Sequence, residues 1–280
     1  MKRLLKNKIA ENLLIGIILL SNARNWVFKL VPSNNHYKPG TIRTVKRKGI
    51  WYQLDLSDYQ EWLVYFYCKS DSSDYVLNYL QKSEAIFDIG ANIGQTAFNM
   101  FTMQKAKKLK PIIYAFEPYP RTFSKLESNI ILNKNNGIKA YNLGLSFKKG
   151  TLNMVQHSPS NSGGFRMTSN YSKDTISVPV TSLDDFIFEY QISFVDFIKI
   201  DVEGFELQVL KGAEETIKRF RPILIFEYSV QNIQVQGGDI EESLEKLKSL
   251  NYKISTKEGL SDLKSILSLD YQTDLICIPN

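Results

Sequence analysis

Residues 85–117 read AIFDIGANIGQTAFNMFTMQKAKKLKPIIYAFE, and the order of residue types in this stretch decides the fold. Ala85, Ile86 and Phe87 form a short apolar run that ends on Asp88, as a buried strand does. Gly90, Ala91, Asn92, Ile93 and Gly94 follow as a turn, after which Thr96, Phe98, Met100, Phe101 and Met103 fall at helix-like intervals. A second apolar run, Ile112 to Phe116, stops on Glu117. Strand, glycine turn, helix and a strand with an acid at its tip make one right-handed crossover unit of an open parallel sheet.

Such a unit suits a nucleoside ligand. Glycine carries no Cβ and tolerates positive φ, so backbone at the turn can approach a bound molecule closely. An acid about twenty residues further on accepts hydrogen bonds from ribose hydroxyls. The pattern here is D-x-G-x-N-x-G rather than G-x-G-x-x-G. A carboxylate beside the turn repels a pyrophosphate and suits a cationic ligand such as S-adenosylmethionine (SAM). A nicotinamide-dependent oxidoreductase needs the missing glycine pattern and is disfavoured; a ligand-binding module without catalysis is the other alternative.

The 280 residues are enough for one large domain and an appendage. The division expected is a basic helical arm over residues 1–44 and a catalytic domain over 45–280, its core motifs within 84–228. Cys68 and Cys277 lie far apart in apolar surroundings and fit neither a disulfide framework nor a zinc site, so a reducing cytoplasm is the expected location. Residues 1–50 hold eleven Lys or Arg and a single acid, Glu11, whereas the whole chain is +6, which leaves the body mildly acidic. A body of that sign argues against nucleic-acid binding. The arm also carries LLIGIILL (13–20). This run is far short of the about twenty apolar residues that cross a bilayer. Packing on the body is expected for it, with peripheral membrane contact through residues 1–30 as the alternative.

Around the central unit, residues 45–59 read as a β-hairpin turning at Arg47, Lys48 and Gly49. Residues 59–67 are aromatic-dense and are expected to form a helix over the ligand cleft. A helix over 121–133 turns Phe123, Leu126, Ile130 and Ile131 inward, and 138–143 is the third strand. Strands over 151–155 and 175–180 flank a long polar loop, 156–173, of the kind that forms lids. A short helix over 183–188 is capped by Thr181 or Ser182. Residues 194–201, a helix over 202–220 and a strand over 222–226 ending at Glu227 continue the alternation. An amphipathic helix over 240–250 with a Glu242–Lys246 pair, and a terminal hairpin whose last strand is antiparallel, complete it.

Ligands in open α/β sheets lie beyond the carboxyl ends of the strands. Those ends are Asp88, Glu117, Leu143-Gly144, Asp201 and Glu227. In FIKID the period of two puts Lys199 and Asp201 on one face, and a mid-strand lysine needs a carboxylate, with Asp201 or Glu203 the natural partner. His157, on the polar loop, is one of two histidines.

FDIGANIG, YAFEP, the run from Asn129 to Asn133, TSLDDF, KIDVEGFELQVLKGA and RPILIFE together resemble the FkbM family of SAM-dependent methyltransferases. The resemblance covers about residues 49–228. It implies an α/β fold of the class I methyltransferase (Rossmann-like) type: a seven-stranded, mostly parallel sheet with helices on both faces. Here that sheet follows a basic helical and β-hairpin N-terminal extension. It implies O-methylation of a hydroxyl on a sugar, glycan or natural-product scaffold. By position, Asp88, Gly90, Asn92 and Gly94 would cradle the amino-acid end of SAM, Glu117 and Pro118 would lie at the ribose, and Leu143 and Gly144 would approach the adenine. The acid expected near the adenine is missing from NLGLSFKKG. Asp201 and Glu203 would face the methyl group and the acceptor. Asp201 is the first candidate for the base, then Glu203, then His157, with Lys199 as partner. A divalent metal on Asp201, Glu203 or Glu227 would serve the same end and is not favoured.

Overall fold

Strand β3 (Ala85–Ile89) is buried at every position, as a strand covered on both faces must be. In the computed structural model, which describes residues 7–20, 29–66, 74–80, 83–156, 165–168, 175–229 and 240–280, it pairs in parallel on both sides. Its neighbours are β4 (Ile112–Phe116) and β10 (Phe197–Ile200). Strands β5 (Ile138–Tyr141) and β11 (Ile223–Tyr228) extend the parallel sheet outward. Strand β13 (Thr273–Pro279) then runs antiparallel between β11 and β12 (Tyr252–Thr256). The order is β12-β13-β11-β10-β3-β4-β5, seven strands with one reversed. This is the sheet the class I methyltransferase resemblance implied.

Alternation along the strands divides the core in two. Ile86, Ile113 and Ala115 pack with Phe98 and Met100 of α3 (Gln95–Ala106) and Leu126 of α4 (Pro120–Leu132). Phe87, Tyr114 and Phe116 point the other way and meet α5 (Leu183–Glu189), α6 (Glu206–Lys211), α7 (Glu214–Phe220) and α8 (Glu241–Ser249). Phe186 of α5 stands edge-on to Phe116 at 4.8 Å and to Tyr141 at 4.9 Å. Truncating a fully buried ring of this kind costs about 3–5 kcal/mol. Pro120 opens α4 where its missing N–H costs nothing, and Ser182 caps α5 by accepting from the Asp185 N–H at 3.0 Å.

The N-terminal extension packs on the body. Its elements are α1 (Lys8–Leu20), the hairpin β1 (Ile42–Arg47) and β2 (Ile50–Asp55), and α2 (Tyr59–Phe66). Glu11 of α1 is buried, and Arg43 donates to its two oxygens at 2.7 and 3.1 Å. The run from Asn129 to Asn133 is the clamp that holds the hairpin. Asn129 accepts from the Gln53 N–H at 3.0 Å and donates to the Ile93 carbonyl at 3.1 Å, while Asn133 both accepts from and donates to the backbone of Trp51. Helix α2, expected over the cleft, makes its contacts with the hairpin, with Pro32 through the Trp62 indole, and with Lys125 of α4 through buried Glu61.

A second sheet lies between β5 and α5, in the order β6-β9-β7-β8. Its strands are β6 (Gly144–Leu145), β7 (Gly150–Gln156), β8 (Phe165–Thr168) and β9 (Thr175–Thr181). Strand β8 corrects the reading of 156–173 as loop throughout, because Phe165–Thr168 completes an antiparallel ladder with β7. The helix expected over 202–220 is two helices starting at Glu206. The break falls at Gly212, where a Cβ would sit 2.0 Å from the Ser146 carbonyl oxygen and whose own carbonyl accepts from the Asp184 N–H. Ile131 is not inward but 75% exposed. Lys246 pairs with Glu214 on α7 rather than with Glu242. The short helix α9 (Leu263–Leu267) is capped by Asp262.

Candidate cofactor and acceptor site

The sheet register sets the strand tips in a row. Asp88 lies level with Ala115 and Lys199, and one residue further the ladder continues through the Asp201 N–H to the Ile89 carbonyl at 2.9 Å. Glu117 likewise donates its N–H to the Tyr141 carbonyl at 3.0 Å. So the glycine turn, Glu117 and Asp201 share one edge because their strands end in register.

At the turn, the N–H groups of Gly90 and Ala91 both reach the Phe116 carbonyl, at 3.0 and 2.9 Å. Gly90 has φ +85°, and a Cβ there would lie 1.8 Å from the Asp201 carbonyl oxygen. The glycine is therefore demanded by the chain's own backbone crossing from β10, besides any ligand. Gly94, at φ +92°, is similarly closed by Leu126 and Phe98. Asn92 takes φ +50°, and its backbone N–H donates to Glu117 Oε2 at 3.0 Å. Glu117 Oε1 accepts from the Tyr119 N–H at 2.9 Å. Burial pushes the Glu117 carboxyl up to about 7 despite these two bonds. Pro118 is buried beside it, and Asn142 donates to the carbonyls of both Glu117 and Pro118 at 2.9 Å. Leu143 is partly buried, and Gly144 is buried as the first residue of β6, level with Val180.

Asp88 lies under this turn, fully buried. Its carboxyl is raised by burial against the lowering effect of Lys199, 3.6 Å away, and neither oxygen has a hydrogen-bond partner among the described residues. Lys199 also donates to Asp201 at 3.1 Å, so one buried ammonium bridges two carboxylates. The Asp201 side chain is 43% exposed, the accessible end of that chain of charges.

Beyond Asp201 the backbone turns through Glu203 at φ +54° and Gly204 at φ +100°. Buried Glu206 holds this turn by accepting from the N–H groups of Val202 at 3.0 Å and Gly204 at 3.2 Å. Burial pushes Glu206 up to about 7. Glu227, at the tip of β11, is pushed up to about 8 by burial and then by the negative charges of Asp201, Glu206 and Glu203. Gln272 donates to one of its oxygens, and the other has no partner among the described residues. Asp274 of β13, level with Glu227, hydrogen-bonds Tyr75 and pairs with Lys257 at 3.3 Å.

The structure thus brings together Asp88, Gly90, Asn92, Gly94, Glu117, Pro118, Lys199, Asp201 and Glu203 along one edge. His157 lies outside the described residues. Glu206 and Asn142 were missed as positioning residues. The signal for Glu206 was present, since an acid three residues after Glu203 at the start of a helix is placed to receive the free N–H groups there. Asn142 carried no local signal. Among the described residues no three His, Cys, Asp or Glu side chains form a group that could hold a metal ion.

The chain's residues 88–254 match the family model described as the methyltransferase FkbM domain, more than half of its length. The chain belongs to the FkbM methyltransferase family. It is 32% identical over 166 residues to methyltransferase sdnD of Sordaria araneosa, covering 49% of this chain and 62% of that protein. It is 27% identical to the hexuronic acid methyltransferase AglP of Haloferax volcanii, covering 65% of this chain and 68% of that one. To the 2-O-methyltransferase NoeI of Sinorhizobium fredii it is also 27% identical, over 56% of this chain and 69% of that one. Among solved structures it is similar to an FkbM methyltransferase from Methylobacillus flagellatus, at 20% identity and a TM-score of 0.47, over 70% of this chain and 44% of that one.

Proposed function

We propose that this FkbM-family protein is a cytoplasmic enzyme that transfers the methyl group of SAM to a hydroxyl of a sugar, within a glycan or a glycosylated natural product. The observation that carries the proposal is the half-exposed Asp201 carboxylate, held by Lys199 on the strand next to the glycine turn. A cationic co-substrate fits this edge: Asp88 and Glu227 have buried oxygens without hydrogen-bond partners among the described residues, and Asp201 and Glu203 add negative charge beside them. The relatives AglP and NoeI, named for a hexuronic acid and a 2-O position, support a sugar acceptor.

SAM, when bound, supplies an electrophilic methyl carbon on a sulfonium. Gly90, Asn92 and Gly94 would hold its amino-acid end, Glu117 would accept from the ribose hydroxyls, and Leu143 would pack at the base. Asp201 takes the proton from the acceptor hydroxyl as its oxygen attacks, and Lys199 keeps that carboxylate in one orientation. Glu203 stands next to it at the acceptor end. Alignment of the two reactants carries much of an in-line displacement, and a placed base adds about 10²–10⁴-fold.

The test is calorimetric titration with SAM and, separately, with NADH, on the parent protein and Asp88→Asn. Binding of SAM alone, weakened in the variant, is expected, followed by labelled-methyl transfer to uronic acids or neutral pyranosides. A folded protein that ignores SAM sinks the proposal, and one that takes NADH instead makes the turn a dinucleotide site.

A further inference from the structure

We propose that the outward face of α1 is a docking surface for an anionic lipid bilayer. The helix is two-sided. Leu14, Ile15 and Ile18 are buried against the body, and Glu11 on that side is spent on Arg43. On the opposite side Ile9, Leu13 and Ile17 are 76%, 65% and 41% exposed. Their spacing of four sets them in one row along the helix. Gly16 lies in the same stripe with open space where a Cβ would stand. A surface helix ordinarily turns polar residues outward, whereas this aliphatic row is left uncovered by the described residues.

The charge around the row selects the cover. Lys2, Arg3, Lys6 and Lys8 precede it with no acid among them, and Glu11, the sole acid of residues 1–50, is buried and neutralised. A short aliphatic row with cations at one end matches the boundary between anionic headgroups and acyl chains. No described helix is long and apolar enough to cross a membrane, so α1 would lie in the interface rather than span it. The catalytic edge is built from other elements, and the inference is independent of the methyl-transfer proposal.

The test is sedimentation of the full chain with vesicles of phosphatidylcholine alone and of phosphatidylcholine with equimolar phosphatidylglycerol. Binding to the mixed vesicles only, weakened by salt, is expected. The pair Leu13→Glu and Ile17→Glu should weaken it by about tenfold or more while the thermal midpoint stays at the parent value. The triple change Lys2→Gln, Arg3→Gln and Lys6→Gln, which leaves the sequence of α1 unaltered, should weaken binding and flatten its salt dependence. Equal binding by parent and variants overturns the proposal, as does a parent that ignores the mixed vesicles. A lipid-free dimer that the Glu pair converts to monomer also overturns it, by making the cover a second copy of this chain.

Discussion

The two halves of the catalytic edge are built on opposite principles. At the glycine turn on the β3–β4 side the polar groups are matched by the chain itself: Glu117 accepts two backbone N–H groups, and the Phe116 carbonyl takes those of Gly90 and Ala91, while Asp88 beneath the turn faces the Lys199 ammonium without a hydrogen-bond partner among the described residues. On the β10–β11 side Asp201, Glu203, Glu206 and Glu227 crowd together, and a buried oxygen of Glu227 has no partner among the described residues. Buried polar groups are ordinarily hydrogen-bonded, so unmatched ones mark where stability has been given up. The comparison teaches that the proposed donor turn is a finished scaffold, and the proposed acceptor half is a cluster of acids completed by what binds it. Lys199, bridging Asp88 and Asp201, is the tie between them.

The largest expected effect breaks the acceptor half alone. Asp201→Asn should lower kcat by about 10²–10⁴-fold and leave SAM affinity within a few-fold of the parent, measured by single-turnover transfer and titration. Equal losses in both would place Asp201 in the donor half. Next comes the tie. Lys199→Met leaves Asp88 buried without its cation and should cost about 3–5 kcal/mol in denaturant unfolding. Asp88→Asn, which keeps the shape and lets Lys199 pair with Asp201, should cost much less. If the two variants unfold alike, the bridge is not what joins the halves. A smaller effect belongs to the donor half: Glu117→Gln should weaken SAM binding by about tenfold, the loss of a charge-assisted hydrogen bond. The parent's SAM affinity should rise as pH climbs through about 7, where Glu117 ionises, and that rise should be flatter in the variant.

Much of this edge was legible in the sequence because it is made of local signals. The apolar run before Asp88, the glycine spacing and the acids closing β4 and β10 each declare a strand end within a few residues, and the alternation of strands with helices makes the sheet mostly parallel. What stayed hidden depends on partners far along the chain. The stop at Gly212 exists because the Ser146 carbonyl arrives there from β6. Asn142 reads as an ordinary turn residue until β4 ends beside it. Ile131 follows the helical period and is nevertheless exposed, since α4 spends Asn129 and Asn133 on clamping the hairpin. Lys246 had a local partner in Glu242 and pairs instead with Glu214, which the fold brings from another helix. Strand β8 was masked by its polar setting, and only the ladder with β7 makes it a strand.

The smallest expected effect separates scaffold from charge within the acceptor half itself. Glu206 is raised from 4.5 to about 7 by burial, so the folded state holds its proton over an interval in which the unfolded chain has released it. A raised folded value contributes stability that is complete below the unfolded value and is lost as pH rises through the folded one. Folding stability should therefore fall between those limits, by up to about 1.4 kcal/mol per pH unit for this one proton. Glu206→Gln keeps an acceptor for the Val202 and Gly204 N–H groups and has no proton to release. Its unfolding free energy should follow a shallower pH line than the parent's, the two lying close at the acid end, where both side chains are neutral, and drawing apart as pH rises toward about 7. Glu117 and Glu227 remain in the variant and hold the rest of the slope. Parallel lines would mean that Glu206 is ionised in the fold throughout; the two backbone N–H groups would then outweigh its burial, and the turn after Asp201 would belong with the matched half of the edge.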